Sequence, residues 1–333
     1  MPENNEPIAR PRAPVRPQPA PRPVVGNAQQ MRWIIDDAVQ QVEHRNFFVE
    51  YLGEKEKKKD ELKMDHTVLT HFGPRVHPGV GKAMNAHKNQ IIYGIELEIE
   101  NWPIRVGDLE APGFTFTEDG SLRNNGYEAV STPNSKVGIL NSTAALWKKY
   151  GIDEKNFSDR TSIHVHANVL NFTLDNVKSL AIVYATIEDL VFSFIGEDRR
   201  KNIFCVPWTE AGLRVGTINH IFEYARQWQK YTALNLLTMR TQGTVEWRHM
   251  EGHGDFTRLE NWLTLIDEVM NYSLKVSPDE LQKIIAGLNT TSEYGAWISS
   301  VLPKSHTLFT HDQIVKNLTR GVIETKLLLL SSK

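Results

Sequence analysis

The sequence predicts an α+β protein in which an antiparallel or mixed sheet with one polar face is backed by helices. Three segments alternate apolar and polar residues as strands do, at 91–100, 161–170 and 244–249. Two stretches with apolar residues at helical spacing, 174–195 and 256–274, follow the second and third of these segments. No fingerprint of a nucleotide-binding βαβ unit accompanies them.

The other elements are predicted from local signals. Thr173 is a suitable N-cap for the first long helix, and Gly196 ends it. Asp119-Gly120-Ser121 forms a turn before a short strand at 127–131. Additional helices are expected in several segments: 28–52, 134–150, 216–230 and parts of 278–333.

Composition excludes several classes of protein. The 333 residues contain 38 Lys and Arg against 40 Asp and Glu, a net charge of −2, which argues against a nucleic-acid coat. Cys205 is the sole cysteine, so no intrachain disulfide or CxxC zinc site can form, and we expect a small buried residue there. No apolar run is long enough for a membrane helix, and no secretory signal begins the chain. A cytoplasmic protein with no membrane partner is expected.

Four regions are expected along the chain. Residues 1–27 hold eight of the 16 prolines, interleaved with arginines, which is typical of disordered polyproline-II-like chain. This segment serves either as a docking tail for a protein partner or as a solubilising spacer. Residues 28–88 are interpreted as a helical and linker segment, 89–275 as the main domain, and 276–333 as a C-terminal helical segment.

Polar pairs recur on the predicted strands. Because side chains two apart on a strand share a face, each pair lies on one side of the sheet: Glu96 with Glu98, His164 with His166, and Glu246 with Arg248. Like-charged carboxylates repel unless a cation lies between them, and an oxygen-rich set favours Mg²⁺ or Mn²⁺. Taken singly, each pair is more typical of an exposed strand, packed histidines or a surface ion pair. Together they indicate a metal site with an anion site beside it.

Four motifs in this order resemble the amidoligase family, which is related to glutamine synthetase and glutamate–cysteine ligase. The motifs are Gly94–Glu98, Asp119–Leu122 with Gly126–Ser131, Ser162–His166 and Thr244–Arg248. The resemblance covers roughly 90–275. Ser162-Ile163 stands where the family usually has a small glycine, and Trp247 replaces the more usual Phe.

The resemblance implies a curved, mainly antiparallel sheet like the glutamine synthetase catalytic domain, with the site on its concave face. It implies an ATP-dependent carboxylate–amine ligase that uses Mg²⁺ or Mn²⁺ and forms an acyl phosphate from an amino acid, peptide or cell-wall-type compound. The matching positions imply metal ligands at Glu96, Glu98, Glu128, His164 and Glu246. They also imply a catalytic role for Glu128 near the amine, phosphate or substrate contact by His166, and phosphoryl stabilisation by Arg248.

Weaker candidates lie outside these motifs. Arg199, Arg200 and Lys201 follow the long helix and are candidates for contacts to ATP phosphates or to a substrate carboxylate, with a solvated loop as the alternative. Glu100 is expected outside the metal shell, and Asp119 is expected to form a turn. Two other functions remain open on spacing alone: a metal-dependent hydrolase, or a non-catalytic scaffold with a Pro-rich docking tail. Dependence on a nucleotide separates a ligase from a hydrolase.

Overall fold

The computed structural model describes residues 66–102, 109–124 and 126–330, and every structural statement below concerns these ranges. The Pro/Arg-rich segment 1–27 and the helix predicted at 28–52 lie outside the described residues. None of the described helices is both long enough and apolar enough to cross a membrane.

One antiparallel sheet forms the centre of the fold. Its strands lie in the order β2-β3-β1-β5-β7-β6, and β4 pairs with β1. All the pairings between these strands are antiparallel. The strands are β1 (Ile92–Ile99), β2 (Phe114–Glu118), β3 (Tyr127–Ser131), β4 (Asn134–Ser135), β5 (Ser162–Asn168), β6 (Leu234–Asn235) and β7 (Thr244–Glu251). The predicted α+β class, an antiparallel sheet backed by helices, is confirmed.

Eleven helices accompany the sheet in the described residues. They are α1 (Val68–Phe72), α2 (Pro78–Ala86), α3 (Lys136–Tyr150), α4 (Leu174–Ile195), α5 (Glu197–Arg200), α6 (Ile221–Ala225), α7 (Leu237–Thr241), α8 (Phe256–Ser273), α9 (Pro278–Gly287), α10 (Thr291–Val301) and α11 (His311–Leu329). Short 3₁₀ turns occur at Glu154–Asn156 and Ser305–Leu308.

Alternation along β1 separates the two sides of the sheet. Ile95, Leu97 and Ile99 are buried in the core against the helices, whereas Glu96 and Glu98 are only partly buried on the other side. The same period of two operates on the neighbouring strands. The helices therefore seal the apolar face, and the polar face is left to form the site.

The central helix α4 lies between the sheet and the C-terminal helices. It begins after the N-cap Thr173, whose side chain accepts from the Asn176 backbone, and it ends at Gly196, as predicted. Its backbone comes so close to α11 that a Cβ on Gly321 would lie 2.1 Å from the Thr186 carbonyl oxygen. Glycine permits this close helix–helix contact, which fixes the C-terminal helices onto the core.

Two local predictions need correction. The helix predicted at 216–230 is wrong in extent, because only Ile221–Ala225 is α-helical. Gly216 has a φ of 81°, and the Ile218 backbone NH donates to the Leu328 carbonyl at the end of α11. A tertiary hydrogen bond therefore replaces a helical one there. The strand β2 was not predicted, although Phe114-Thr115-Phe116-Thr117 alternates aromatic and β-branched residues as strands do.

Candidate active site

Strand register brings the predicted residues together on the polar face. In β1 and β5, Glu96 lies opposite His164, while β3 places Glu128 opposite Glu98. His166 in turn lies opposite Glu246 of β7. Residues that are distant in sequence thus become neighbours across four adjacent strands.

One cluster has the geometry of a cation site. Ligand atoms of Glu96, His166 and Glu246 all lie within 4.8 Å of one another, the only such group of three or more found in the described ranges. Nε2 of His166 is buried and lies 3.1 Å from Oε1 of Glu96, yet it has no aligned hydrogen bond. Its other ring nitrogen, Nδ1, is 3.0 Å from the Thr244 hydroxyl, which orients the imidazole. The free nitrogen therefore points at two carboxylates, as a metal-binding histidine does.

His164 lies beside the same two carboxylates. Its Nδ1 is 3.4 Å from Glu96 Oε2 and 3.5 Å from Glu246 Oε1. Its Nε2 is 2.8 Å from the hydroxyl of Ser162, which also donates to Glu98 at 2.6 Å. The sequence analysis assigned metal binding to His164 and phosphate or substrate contact to His166. In the structure, His166 belongs to the tightest triad, and His164 lies next to it.

Arg248 completes the cluster on β7. Its guanidinium donates to Oε1 of Glu246, and its Nε donates to the Phe204 carbonyl at 3.1 Å. The second oxygen of Glu246 accepts from the Asn235 amide at 2.7 Å. Both Glu246 and Arg248 are almost fully buried, so these contacts fix their orientation.

The two carboxylates of the triad both have a lowered pKa. Burial raises the pKa of Glu96, but the adjacent His166 and His164 outweigh it and hold that pKa well below its usual value. Glu246 behaves similarly: the two histidines and Arg248 outweigh burial and lower its pKa. Both residues are therefore ionised at neutral pH, as metal ligands must be.

Glu128 marks an acidic end of the site. Burial and the negative charges of Glu96, Glu98 and Asp119 raise the pKa of Glu128 to about 7. This repulsion is the kind that a bound cation relieves. The donor set of carboxylates and imidazoles suits Mg²⁺ or Mn²⁺.

A cavity of about 400 Å³ adjoins the cluster at the end of the sheet opposite Glu128. Glu96 and His166 form part of its wall, and the exposed side chains of Arg75 and His77 lie at its rim. The other lining residues include apolar Val76, Val80 and Val130 and the amides Asn168 and Gln242. The cavity is therefore continuous with the candidate cation site and large enough for a small organic ligand.

Comparison with known proteins identifies the family. Residues 105–270 match the family model described as "Putative amidoligase enzyme". This region of the chain is similar to the amidoligase family. The match includes the motifs around Glu128, His164 and Glu246, while β1 with Glu96 and Glu98 immediately precedes it. The resemblance noted in the sequence is confirmed.

The other comparisons add little to the amidoligase assignment. No curated protein matches the chain. A solved structure described as "Crystal structure of novel glutamine synthase homolog" aligns with 76% of this chain and 68% of its own, at 12% identity and a TM-score of 0.30. Such a TM-score does not establish a shared fold, so the family assignment depends on the sequence match.

Several predicted residues lie away from the candidate cluster. Arg200 forms an ion pair with Asp189 and packs over the Phe192 ring, so the structure does not bring it to the candidate carboxylates. Lys201 is exposed. Glu100 is buried and accepts from the Arg123 backbone NH at 2.7 Å, which keeps it out of the cluster as expected.

Two non-ligand expectations also have clear outcomes. Asp119 accepts from the Ser121 backbone NH at 2.8 Å, the bond of the predicted turn. Cys205 is fully buried, and burial raises the pKa of its thiol to about 12, so it is not a reactive nucleophile.

Sequence reasoning missed three supporting residues of the candidate site. Thr244 orients His166, Asn235 holds Glu246, and Ser162 bridges Glu98 and His164. Thr244 shares the strand face of Glu246, so alternation could have identified it. Asn235 carried no such signal, because its contact depends on pairing between β6 and β7.

Proposed function

We propose that this chain is an ATP-dependent carboxylate–amine ligase that forms an amide or isopeptide bond through an acyl phosphate. The observation that carries the proposal is the placement of the triad Glu96, His166 and Glu246 against the guanidinium of Arg248 on one open sheet face. The similarity of residues 105–270 to the amidoligase family supports the ligase class.

The donor atoms support the use of Mg²⁺ or Mn²⁺. Glu96, Glu246 and the unpaired nitrogen of His166 would hold one cation. Glu98 and Glu128 face each other across β1 and β3 and would serve a second. Bound cations would neutralise charge on the ATP phosphates and polarise the transferred phosphoryl group.

Arg248 would stabilise the phosphoryl group in transfer. Phosphoryl transfer spreads negative charge over several oxygens, so positioned positive charge lowers its barrier. The Glu246 carboxylate and the Phe204 carbonyl hold the guanidinium in place before any substrate binds. Because the group is already oriented, little reorganisation accompanies the reaction.

The two ends of the site suit different substrates. The cavity beside Glu96 and His166 combines apolar walls with the amides of Asn168 and Gln242, a combination that suits a nucleotide base next to its metal-bound phosphates. The opposite end carries Glu98 and Glu128, whose negative charge attracts a protonated amine. The carboxylate substrate would then react between them, near Arg248.

Two other expectations accompany this proposal. The buried single cysteine is compatible with a reducing compartment, and we place the reaction in the cytoplasm. The segment 1–27 lies outside the described residues, so its docking to a protein partner stays a prediction.

The test measures whether the protein turns over ATP when it is given a pool of candidate substrates. Purified protein is incubated with Mg²⁺, ATP and pooled amino acids and amines, and ADP and phosphate are separated by chromatography. We expect ADP release that rises with the pool and falls by at least about a hundredfold in Glu246→Gln. Glu260→Gln is the matched control, because Glu260 is exposed on α8, behind the sheet. This control should retain full turnover.

Other results would favour the alternatives. Amide hydrolysis that requires the metal but no ATP would indicate a metal-dependent hydrolase. Equal ADP release by the wild type and Glu246→Gln would show that the candidate site takes no part in ATP turnover.

A further inference from the structure

Three exposed apolar residues lie on the two loops next to Arg248. Ile203, Phe204 and Tyr231 are 71%, 49% and 43% exposed, which is unusual for large apolar residues. The rings of Phe204 and Tyr231 meet edge to face at 5.2 Å. We call these three residues the aromatic lip.

Backbone hydrogen bonds fix the aromatic lip to the active-site strand. The Val206 NH donates to the Tyr231 carbonyl, and the Ala233 NH donates back to the Val206 carbonyl, both at 2.8 Å. The Arg248 NH then donates to the Ala233 carbonyl, also at 2.8 Å. The two loops and β7 therefore form one hydrogen-bonded unit, so the lip has a defined position relative to the site.

Arg248 joins the aromatic lip to the reacting centre. Its Nε donates to the Phe204 carbonyl, and its guanidinium carbon lies 5.8 Å from the centre of the Tyr231 ring. The other side of the same guanidinium contacts Glu246. A substrate group that touches Arg248 is therefore within reach of the lip.

The charge around the aromatic lip is positive. Lys230 Nζ lies 5.5 Å and the Arg248 guanidinium carbon 5.8 Å from the centre of the Tyr231 ring. The far end of the site, at Glu98 and Glu128, is acidic instead. The lip is thus complementary to an apolar group attached to a negative one, and not to a protonated amine.

We propose that the carboxylate substrate is an amino acid or peptide. Its reacting carboxylate belongs to a residue with an aromatic or branched apolar side chain, and this side chain rests on the aromatic lip. This inference depends on the proposed ligase function. A carboxylate oxygen attacks the γ-phosphorus of ATP, the phosphorus–oxygen bond to ADP breaks, and an acyl phosphate forms. The amine nitrogen then attacks the acyl carbon, phosphate leaves, and the nitrogen loses a proton.

Three acylated amino acids test the preference: N-acetylphenylalanine, N-acetylleucine and N-acetylglycine, each with Mg²⁺, ATP and hydroxylamine. Hydroxylamine replaces the unknown amine and converts an acyl phosphate to a hydroxamate, which is measured directly. We expect kcat/KM for the phenylalanine and leucine compounds to exceed that for the glycine compound by about tenfold or more.

Variants show whether the aromatic lip causes the preference. Phe204→Ala and Tyr231→Ala should raise KM for the phenylalanine compound and reduce its advantage over the glycine compound to about threefold or less, with KM for ATP unchanged. Leu274→Ala is the matched control, because Leu274 is 42% exposed on the helical side of the molecule. It should leave all values unchanged.

Specific results would overturn this inference while sparing the proposed function. They are equal kcat/KM for the three compounds, a change confined to KM for ATP, or ADP release with the pooled amino acids but no hydroxamate from any of the three. Absence of ADP from both experiments would instead contradict the ligase itself.

Discussion

The two faces of the central sheet use neighbouring residues of the same strands for opposite purposes. On β7, Trp247 is fully buried between Tyr184 and Trp262, with ring centres 5.6 and 5.9 Å away. The residues on either side of it, Glu246 and Arg248, are almost as deeply buried but are charged. On one face, burial of apolar side chains stabilises the fold, whereas on the other face charged side chains are buried.

This difference separates stability from function. Burial of apolar side chains stabilises a fold, but buried ion pairs are on average no better for stability than apolar residues of the same size. Under the proposed function, ligand binding and catalysis would explain why the sheet keeps charges at Glu96, Glu246 and Arg248. The predictions below test this separation, from the largest expected effect to the smallest.

Truncation on the apolar face should have the largest effect on stability. Trp247→Ala removes an indole packed against Tyr184 and Trp262, so the free energy of unfolding should fall by about 3–5 kcal/mol. Trp247→Phe keeps most of the volume and should cost less than about 1.5 kcal/mol. Urea denaturation measures both. A loss below about 1 kcal/mol for Trp247→Ala would contradict the packing described for this face.

Removal of charge on the polar face should affect turnover more than folding. Arg248→Ala should lower ATP-dependent turnover by at least about a hundredfold, because it deletes the positive charge held at the phosphoryl position. Its effect on the unfolding free energy should be smaller than that of Trp247→Ala, since Glu246 keeps its bond from Asn235. Steady-state kinetics and urea denaturation are compared on one preparation. Near-normal turnover would exclude the assigned role.

Arg199 supports the irregular part of β7. Its buried guanidinium donates to the carbonyls of His249 at 2.9 Å and Arg248 at 2.8 Å, where the pairing of β5 with β7 shifts register. Arg199→Ala leaves these carbonyls without their donor and should cost about 1–3 kcal/mol of stability. As a positioning residue, it should lower kcat more than it raises KM, with partial rescue by Arg199→Lys. An unchanged kcat would make its role purely structural.

The smallest effect should have the opposite sign. Glu128→Gln removes one of the mutually repelling carboxylates whose charge raises the Glu128 pKa to about 7. In EDTA at pH 8, the variant should be more stable than the wild type by up to about 1 kcal/mol, a modest value because the group is partly solvated. Addition of Mg²⁺ should stabilise the wild type more than the variant. A variant less stable than the wild type in EDTA would contradict the mutual repulsion of the carboxylates around Glu128.

The sequence predicted elements whose signals are local. Thr173 and Gly196 delimited α4, because an N-cap hydroxyl and a terminal glycine act on the backbone next to them. Alternation similarly placed Glu96, His164 and Glu246 on one face before any register was known. These predictions depended only on the periods of helix and strand.

Features that depend on distant contacts could not be predicted. Alternation put His164 and His166 on the same face but could not show which nitrogen would remain unpaired, since that depends on Ser162 and Thr244. The aromatic lip arises because Val206 pairs with Tyr231 and Ala233 across two loops. The shortened α6 likewise reflects the bond from Ile218 to Leu328.

Binding of ATP tests the central claim most directly. Isothermal titration would compare the wild type, Glu246→Gln and Glu260→Gln, each with Mg²⁺ and with EDTA, and needs no knowledge of the other substrates. We predict binding that requires Mg²⁺, that is weakened at least about tenfold in Glu246→Gln, and that is unchanged in Glu260→Gln. No detectable binding of ATP by the wild type in Mg²⁺ would contradict the assignment of the polar face to an ATP-dependent ligase.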